Sequence, residues 1–142
     1  MNTTNPLSAY RETQIKTANQ GKLIVMLYDG AIKNINLALE SLNDGHDKFD
    51  LISSRIVRAQ DIITELMVSL NFDEGGDIAQ NLFNLYLFMN RRLLESNMNK
   101  KNEPLTEVRQ LLTELRAAWV EISQRNENED TETGRTGVNI AG

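Results

Sequence analysis

The chain has 142 residues, about the length of one domain, and carries 15 Lys and Arg against 20 Asp and Glu, a net charge of −5. The basic residues are scattered along the chain, which disfavours binding to a nucleic-acid backbone. The absence of cysteine excludes disulfides, cysteine zinc ligands and cysteine nucleophiles. Without a signal-peptide pattern or a long apolar run, we expect a cytosolic protein with no membrane insertion.

Residues 1–18 are predicted to form a separate N-terminal segment, helical or lid-like, ahead of the main domain. The segment carries few apolar side chains, chiefly Leu7, Tyr10 and Ile15. A helix of this kind is marginal in water on its own. We therefore expect it to depend on contacts with the rest of the chain.

Two long amphipathic helices are predicted next. The first begins at the N-cap Asn19 and ends near Asn43, where Asn-Asp-Gly gives a stop. The second is capped by Asp47, and its apolar residues recur at spacings of three and four from Phe49 to Leu70. Such spacing is typical of a seam that packs onto other helices.

Two further helices follow a predicted turn at residues 71–76. The third long helix has an apolar stripe from Ile78 to Leu93, and the last begins with Asn102 as its cap and ends at Gln124. We therefore predict an all-α fold in which residues 19–124 form an antiparallel up-and-down four-helix bundle. Residues 125–142 are acidic and almost free of apolar side chains, so we expect a disordered tail.

Apolar residues are more numerous on two helices than one packed face requires. The stretch LIVMLYDGAIKNI, residues 23–35, places two apolar stripes side by side. On the third helix Phe83, Leu87 and Leu94 form a second line, which Asn90 interrupts. Because burying one such side chain contributes about 1.5–3 kcal/mol, we expect something to cover them.

Two interpretations of this surplus stay open. The other helices of the bundle cover it, or it forms a groove for an amphipathic helix or an extended peptide. In the second case the N-terminal segment would act as a temporary lid. Tyr10 suits a lid, since its ring joins an apolar face to a polar tip.

No catalytic, metal or cofactor site is predicted, so we expect a protein that is not an enzyme. His46 stands in a loop, whereas a phosphorelay bundle needs a histidine on a helix face. No Glu-x-x-His motif of a di-iron bundle occurs, and Gly75-Gly76 lacks the strand and lysine of a phosphate loop. Asp61 and Glu65 lie on the polar side of their helix and are interpreted as solvated surface.

Three sequence blocks resemble the flagellar secretion chaperone FliS family. They are AYRETQIKTANQGKLIVMLYDGAI, AQDIITELMVSLNFDEGGDIAQNLFNLYLFMNRRLLESN and AAWVEI, which together span about residues 8–122 in the expected order. Where the family commonly has Ser-Pro at the start of the first long helix, this chain has Asn19-Gln20. Asparagine also caps helices well, so the departure concerns local stability.

The resemblance implies a bundle that binds the C-terminal segment of flagellin in the cytosol of a flagellated bacterium. It further implies that binding prevents premature polymerisation and assists delivery to the flagellar type III export apparatus, whose gate components are further candidate partners. No catalysis or cofactor is implied. The alternative is a structural bundle that homodimerises through its surplus apolar stripes.

We expect the client segment to lie along grooves built from the first and third long helices. Leu7 and Tyr10 would touch the client or fold over its site when the client is absent; Tyr10 is favoured by the family's Ala-Tyr pair. The other candidate contacts come mainly from periodicity. They are Ile24, Tyr28, Ile32, Phe83, Leu87 and Leu94.

Overall fold

The computed structural model describes residues 20–44 and 48–141, with side chains up to Arg125. Its elements are α1 (Gln20–Asn43), α2 (Phe49–Val68), α3 (Phe72–Asn99) and α4 (Asn102–Ala141). Every regular element in these ranges is a helix, so the predicted all-α class is confirmed. None of the helices within the described ranges is both long and apolar enough to cross a membrane.

The chain forms two compact units. One comprises residues 26–115 and contains most of α1, all of α2 and α3, and the first part of α4. The other includes the start of α1 and the part of α4 from Arg116 onward. The unit of residues 26–115 is the four-helix bundle.

Side-chain hydrogen bonds place α4 between α1 and α3. Arg109 Nη1 on α4 donates to Asn36 Oδ1 on α1 at 2.9 Å, and Asn102 Nδ2 donates to Asn43 Oδ1 at 2.8 Å. Residue numbers rise along α1 as they fall along α4, so the two helices are antiparallel. On the other flank of α4, Glu107 Oε1 accepts from Arg92 Nε of α3 at 2.7 Å.

The helix α2 lies between α1 and α3. Ser53 Oγ on α2 donates to Asn97 Oδ1 on α3 at 2.8 Å, and Gln60 Nε2 donates to the Asn90 carbonyl at 3.1 Å, again in antiparallel order. A Cβ added at Gly30 of α1 would lie only 3.2 Å from a side-chain methyl of α2. The order around the bundle is therefore α1, α2, α3, α4, which confirms the predicted up-and-down arrangement.

The predicted stripes of α1, α2 and α3 supply most of the core. Burying these large side chains is the main source of stability for a domain of this size. The largest fully buried side chains of the bundle are Tyr28, Ile35, Ile52, Ile56, Ile63, Leu66, Tyr86, Met89, Leu93, Leu105, Val108 and Leu112. Ile78, which opens the predicted stripe of α3, is exposed instead.

The start of α3 differs from the predicted turn at residues 71–76. Asn71 occupies the N-cap, where its side-chain Oδ1 accepts from the Glu74 backbone N–H at 3.1 Å. Acidic residues in the first turn, Asp73 and Glu74, complement the positive helix end. Helix therefore begins at Phe72 and is interrupted by a kink at Gly76, whose φ of 50° and ψ of −123° are non-helical.

Replacing Gly76 by alanine should destabilise the bundle by about 1–3 kcal/mol, because residues with a Cβ rarely adopt this backbone conformation. Apart from the adjacent residues, no described atom lies within 4 Å of an added Cβ, so the loss of stability reports backbone strain and not a steric clash. Urea unfolding would measure the change. Asp77→Ala, one residue later, is the control and should stay within about 0.5 kcal/mol of wild type.

The starts of α2 and α4 also differ from prediction. Lys48 occupies the N-cap of α2 and makes no side-chain capping hydrogen bond, while the predicted cap Asp47 lies outside the described residues. Asn102 is the first helical residue of α4, and its side-chain amide bonds Asn43 across the bundle instead of capping. The start of each helix therefore differs from the predicted start by one position.

The helix α4 continues beyond the predicted end at Gln124. Its backbone is helical to Ala141, through the region for which composition predicted a disordered tail at residues 125–142. The stretch contains no proline, and its glutamates and arginines are good helix formers. At the junction Arg125 Nη2 donates to Glu121 Oε1 at 2.6 Å, an i,i+4 ion pair that favours continuation of the helix.

Candidate functional site

An apolar line runs along one flank of α3. Its members, which we name the α3 line, are Phe83, Leu87, Leu94 and Met98, at spacings that keep them on one side of a helix. Leu87, Leu94 and Met98 are 41%, 49% and 74% exposed. From Leu87 to Met98 the line extends about 16 Å along the helix axis. A row of exposed apolar side chains of this length is typical of a binding surface.

The N-terminal end of the α3 line is anchored by an aromatic pair. The Phe83 ring packs edge-on against Phe72, with ring centroids 5.9 Å apart and an interplanar angle of 68°. Phe72 belongs to the short helical turn before Gly76, and it remains exposed. The pair therefore joins that turn to the main part of α3 and gives the line an aromatic end.

Asn90, which interrupts the α3 line, binds α2. Its Nδ2 donates to Thr64 Oγ1 at 3.2 Å, while its carbonyl accepts from Gln60 Nε2. Thr64 Oγ1 in turn donates to the Gln60 carbonyl at 3.0 Å. Val68 is exposed and lies one helical turn after Thr64, on the side of α2 that meets α3. It therefore adds an apolar side chain of α2 at the edge of the α3 line.

A second polar cluster fixes α2 to α3 at the C-terminal end of the line. The ammonium group of Lys100 donates to Ser53 Oγ at 2.9 Å and to the Asn97 carbonyl at 2.6 Å, and it also bonds Asn97 Oδ1. Lys100 is the C-cap of α3 and has a left-handed φ of 51°. These two clusters hold α2 and α3 in place, which lowers the ordering cost of binding at the surface between them.

We name this surface the α2–α3 face. It comprises the α3 line together with Val68. Leu87, Leu94 and Phe83 are thus placed together at a surface, as the sequence suggested. Met98 was missed, although it continues the spacing one turn beyond Leu94.

The candidates on α1 do not join this face. Tyr28 has no exposed surface, and its hydroxyl lies 2.5 Å from the hydroxyl of Tyr86 inside the bundle. Ile24 is buried and Ile32 is partly buried. Because α1 and α3 lie on a diagonal of the bundle, the apolar stripes of these two helices do not share one continuous surface groove. Leu7 and Tyr10 lie outside the described residues.

Burial changes the ionisation of Tyr86, one member of the inner tyrosine pair. Desolvation raises the pKa of the Tyr86 phenol, and the hydrogen bond with Tyr28 opposes part of that increase. The neutral phenol is therefore the form that the core favours. Its place in the core makes this pair a structural element of the bundle.

Within the described residues, no group of three or more acidic or histidine side chains is placed to hold a metal ion. Asp61 is exposed on α2, one turn from the partly exposed Glu65. His46 lies outside the described residues. The chemistry that the α2–α3 face offers is apolar contact with polar borders.

Comparison with known proteins places the chain beside one family. The family model described as "Flagellar protein FliS" matches residues 3–126. The flagellar secretion chaperone FliS of Bacillus subtilis strain 168 is 32% identical over 120 residues, covering 84% of this chain and 87% of the relative. The FliS of Salmonella typhimurium is 33% identical over 132 residues, covering 88% and 95%. That of Vibrio cholerae is 30% identical over 126 residues, covering 86% and 91%.

Proposed function

The chain belongs to the FliS family of flagellar secretion chaperones, and we propose that it binds the C-terminal segment of flagellin in the cytosol. Binding prevents flagellin from polymerising before export and assists its delivery to the flagellar type III export apparatus. Components of the export gate are further proposed partners. Chaperoning of this kind needs no catalytic group or cofactor.

The exposed α3 line is the observation that carries this proposal. Leu87, Leu94 and Met98 are kept at a surface that polar clusters fix at Asn90 and at the C-terminal end of α3. An amphipathic client helix presents its own apolar residues at intervals of three, four and seven, which fits a line of this length. Covering the line would remove apolar surface from water on both partners.

The proposed contacts are the members of the α2–α3 face. Ile32, partly buried on α1, is a further candidate at the border of the bundle surface. Leu7 and Tyr10 are proposed to contact the client or to fold over its site in its absence, on the strength of the family's Ala-Tyr pair. Ile24 and Tyr28 are left out of the contact set, because both are buried.

The direct test is complex formation with purified flagellin, followed by sedimentation velocity. We expect the chain to shift into a complex with full-length flagellin and to lower the rate of seeded flagellin polymerisation. Flagellin that lacks its C-terminal segment is the matched control and should leave the chain uncomplexed. Unchanged sedimentation with full-length flagellin would refute the proposal, and a concentration-dependent homodimer in the same runs would favour the structural alternative.

A further inference from the structure

We propose that a second surface, the cleft between α1 and α2, binds an acidic peptide segment of a partner protein. This inference goes beyond flagellin binding, because the cleft lies on the α1 side of α2 and the α2–α3 face lies on its other side. The bound segment would carry carboxylates and at least one aliphatic anchor. Both surfaces can then be occupied at once.

The cleft is open and has a volume of about 510 Å³. Its charged and apolar lining comes from about one turn of α1 and about two turns of α2. The residues are Lys33 and Leu37 of α1 and Arg55, Val57, Arg58 and Asp61 of α2. A volume of this size accommodates several side chains of a peptide.

The cations of the cleft form no ion pair with the residues that the structure describes. Among the side chains that the structure describes, none lies within ion-pair distance of Lys33, Arg55 or Arg58. Asp61 follows Arg58 by three residues on α2 and shares the cleft, yet no ion pair joins them. Three positive groups against one negative group make the cleft electropositive on a chain whose net charge is −5. Charge complementarity therefore selects an anionic occupant.

Apolar side chains between the cations favour a peptide over other polyanions. Leu37 is partly buried and Val57 is 45% exposed, so the lining offers aliphatic contact beside the charges. A nucleic-acid backbone gains affinity from many phosphate contacts, whereas this cleft supplies three cations on an otherwise acidic chain. A short acidic segment with an aliphatic side chain satisfies both features of the lining.

The test uses a synthetic fluorescent peptide about four helical turns long, with glutamates flanking two leucines, and a matched peptide with glutamine at every glutamate. Fluorescence anisotropy at low salt should show that the full chain binds the acidic peptide and that added salt weakens binding. The Arg55→Gln/Arg58→Gln variant should lose about tenfold in affinity. Arg91→Gln/Lys101→Gln removes the same charge from exposed positions of the bundle and should bind as wild type does.

Four results would overturn the inference. An equal loss of peptide affinity in both double variants would mean that the peptide responds only to the net charge of the chain. Equal affinity for the glutamine and glutamate peptides would mean that apolar contacts alone hold the peptide. Displacement by single-stranded DNA at lower concentration than by unlabelled peptide would make the cleft a nucleic-acid site. Loss of flagellin binding in Arg55→Gln/Arg58→Gln would show that the cleft is part of the flagellin-binding surface. Retained flagellin binding with lost peptide binding is the expected pattern, and it leaves the flagellin proposal independently testable.

Discussion

Replacing Leu87 and Leu94 together by aspartate is expected to weaken binding of the C-terminal segment of flagellin about 100-fold. Each leucine is about half exposed, so a client gains roughly 1 kcal/mol by burying what remains of it. The introduced carboxylates add a desolvation cost of about 1 kcal/mol or more at a covered surface. The losses therefore total about 3 kcal/mol, and a tenfold change in affinity corresponds to about 1.4 kcal/mol.

The matched control for this experiment is Leu51→Asp. Leu51 is 41% exposed, the same fraction as Leu87. It lies on the same side of α2 as Ile62, which contacts α1, and therefore away from the α2–α3 face. Affinity measured by titration calorimetry should therefore be close to that of wild type. Circular dichroism and urea unfolding of all variants separate a lost interface from a lost fold. Folded Leu87→Asp/Leu94→Asp protein with undiminished affinity would remove the α3 line from the client site.

The helical architecture was predictable because it depends on local pattern. Apolar spacings of three and four marked α2. Its predicted seam from Phe49 to Leu70 is buried between Ile52 and Leu66, whereas Phe49 is exposed and Leu70 is only partly buried. The line through Phe83, Leu87 and Leu94 was visible for the same reason, since positions on one helix flank follow from periodicity alone. What these patterns report is which residues share a side of a helix.

Periodicity could not say which neighbour each side meets. The order around the bundle depends on pairs far apart in sequence, such as Asn36 with Arg109 and Asn97 with Ser53. That order puts α1 and α3 on a diagonal, so the first stripe of α1, including Tyr28 and Ile35, fills the core. For this stripe the simpler interpretation, coverage by the other helices, describes the structure.

Asn90 shows a different limit of sequence reasoning. In the sequence it is a polar interruption of an apolar line, with no sign of its partner. In the structure its side chain and carbonyl reach Thr64 and Gln60 on α2, 26 and 30 residues away. The interruption is thus a helix-to-helix bond that holds the border of the face, and it became interpretable only once α2 was placed.

Tyr28→Phe is expected to destabilise the bundle by about 2 kcal/mol and to leave flagellin affinity unchanged. The substitution removes a buried hydroxyl and leaves the Tyr86 hydroxyl without its hydrogen-bond partner, which is more costly than losing the bond alone. Tyr86→Phe removes the same hydrogen bond and should cost a similar amount, and the double variant should cost less than the sum. Urea unfolding of the wild type, the two single variants and the double variant completes this double-mutant cycle. A loss of flagellin affinity in folded Tyr28→Phe would show that Tyr28 takes part in flagellin binding.

The same pair predicts how stability changes at alkaline pH. Burial raises the pKa of Tyr86, while an unfolded tyrosine ionises near about pH 10. Below that pH the Tyr86 phenol keeps its proton in the folded and the unfolded chain, so its contribution to stability is fully present. Above that pH the unfolded chain releases a proton that the folded core retains, so the free energy of unfolding falls as pH rises. Between about pH 8 and about pH 10.5, wild type should therefore lose more unfolding free energy than Tyr86→Phe, which keeps every other titrating group. Parallel pH dependence in the two proteins would show that the Tyr86 phenol ionises as readily in the core as in the unfolded chain.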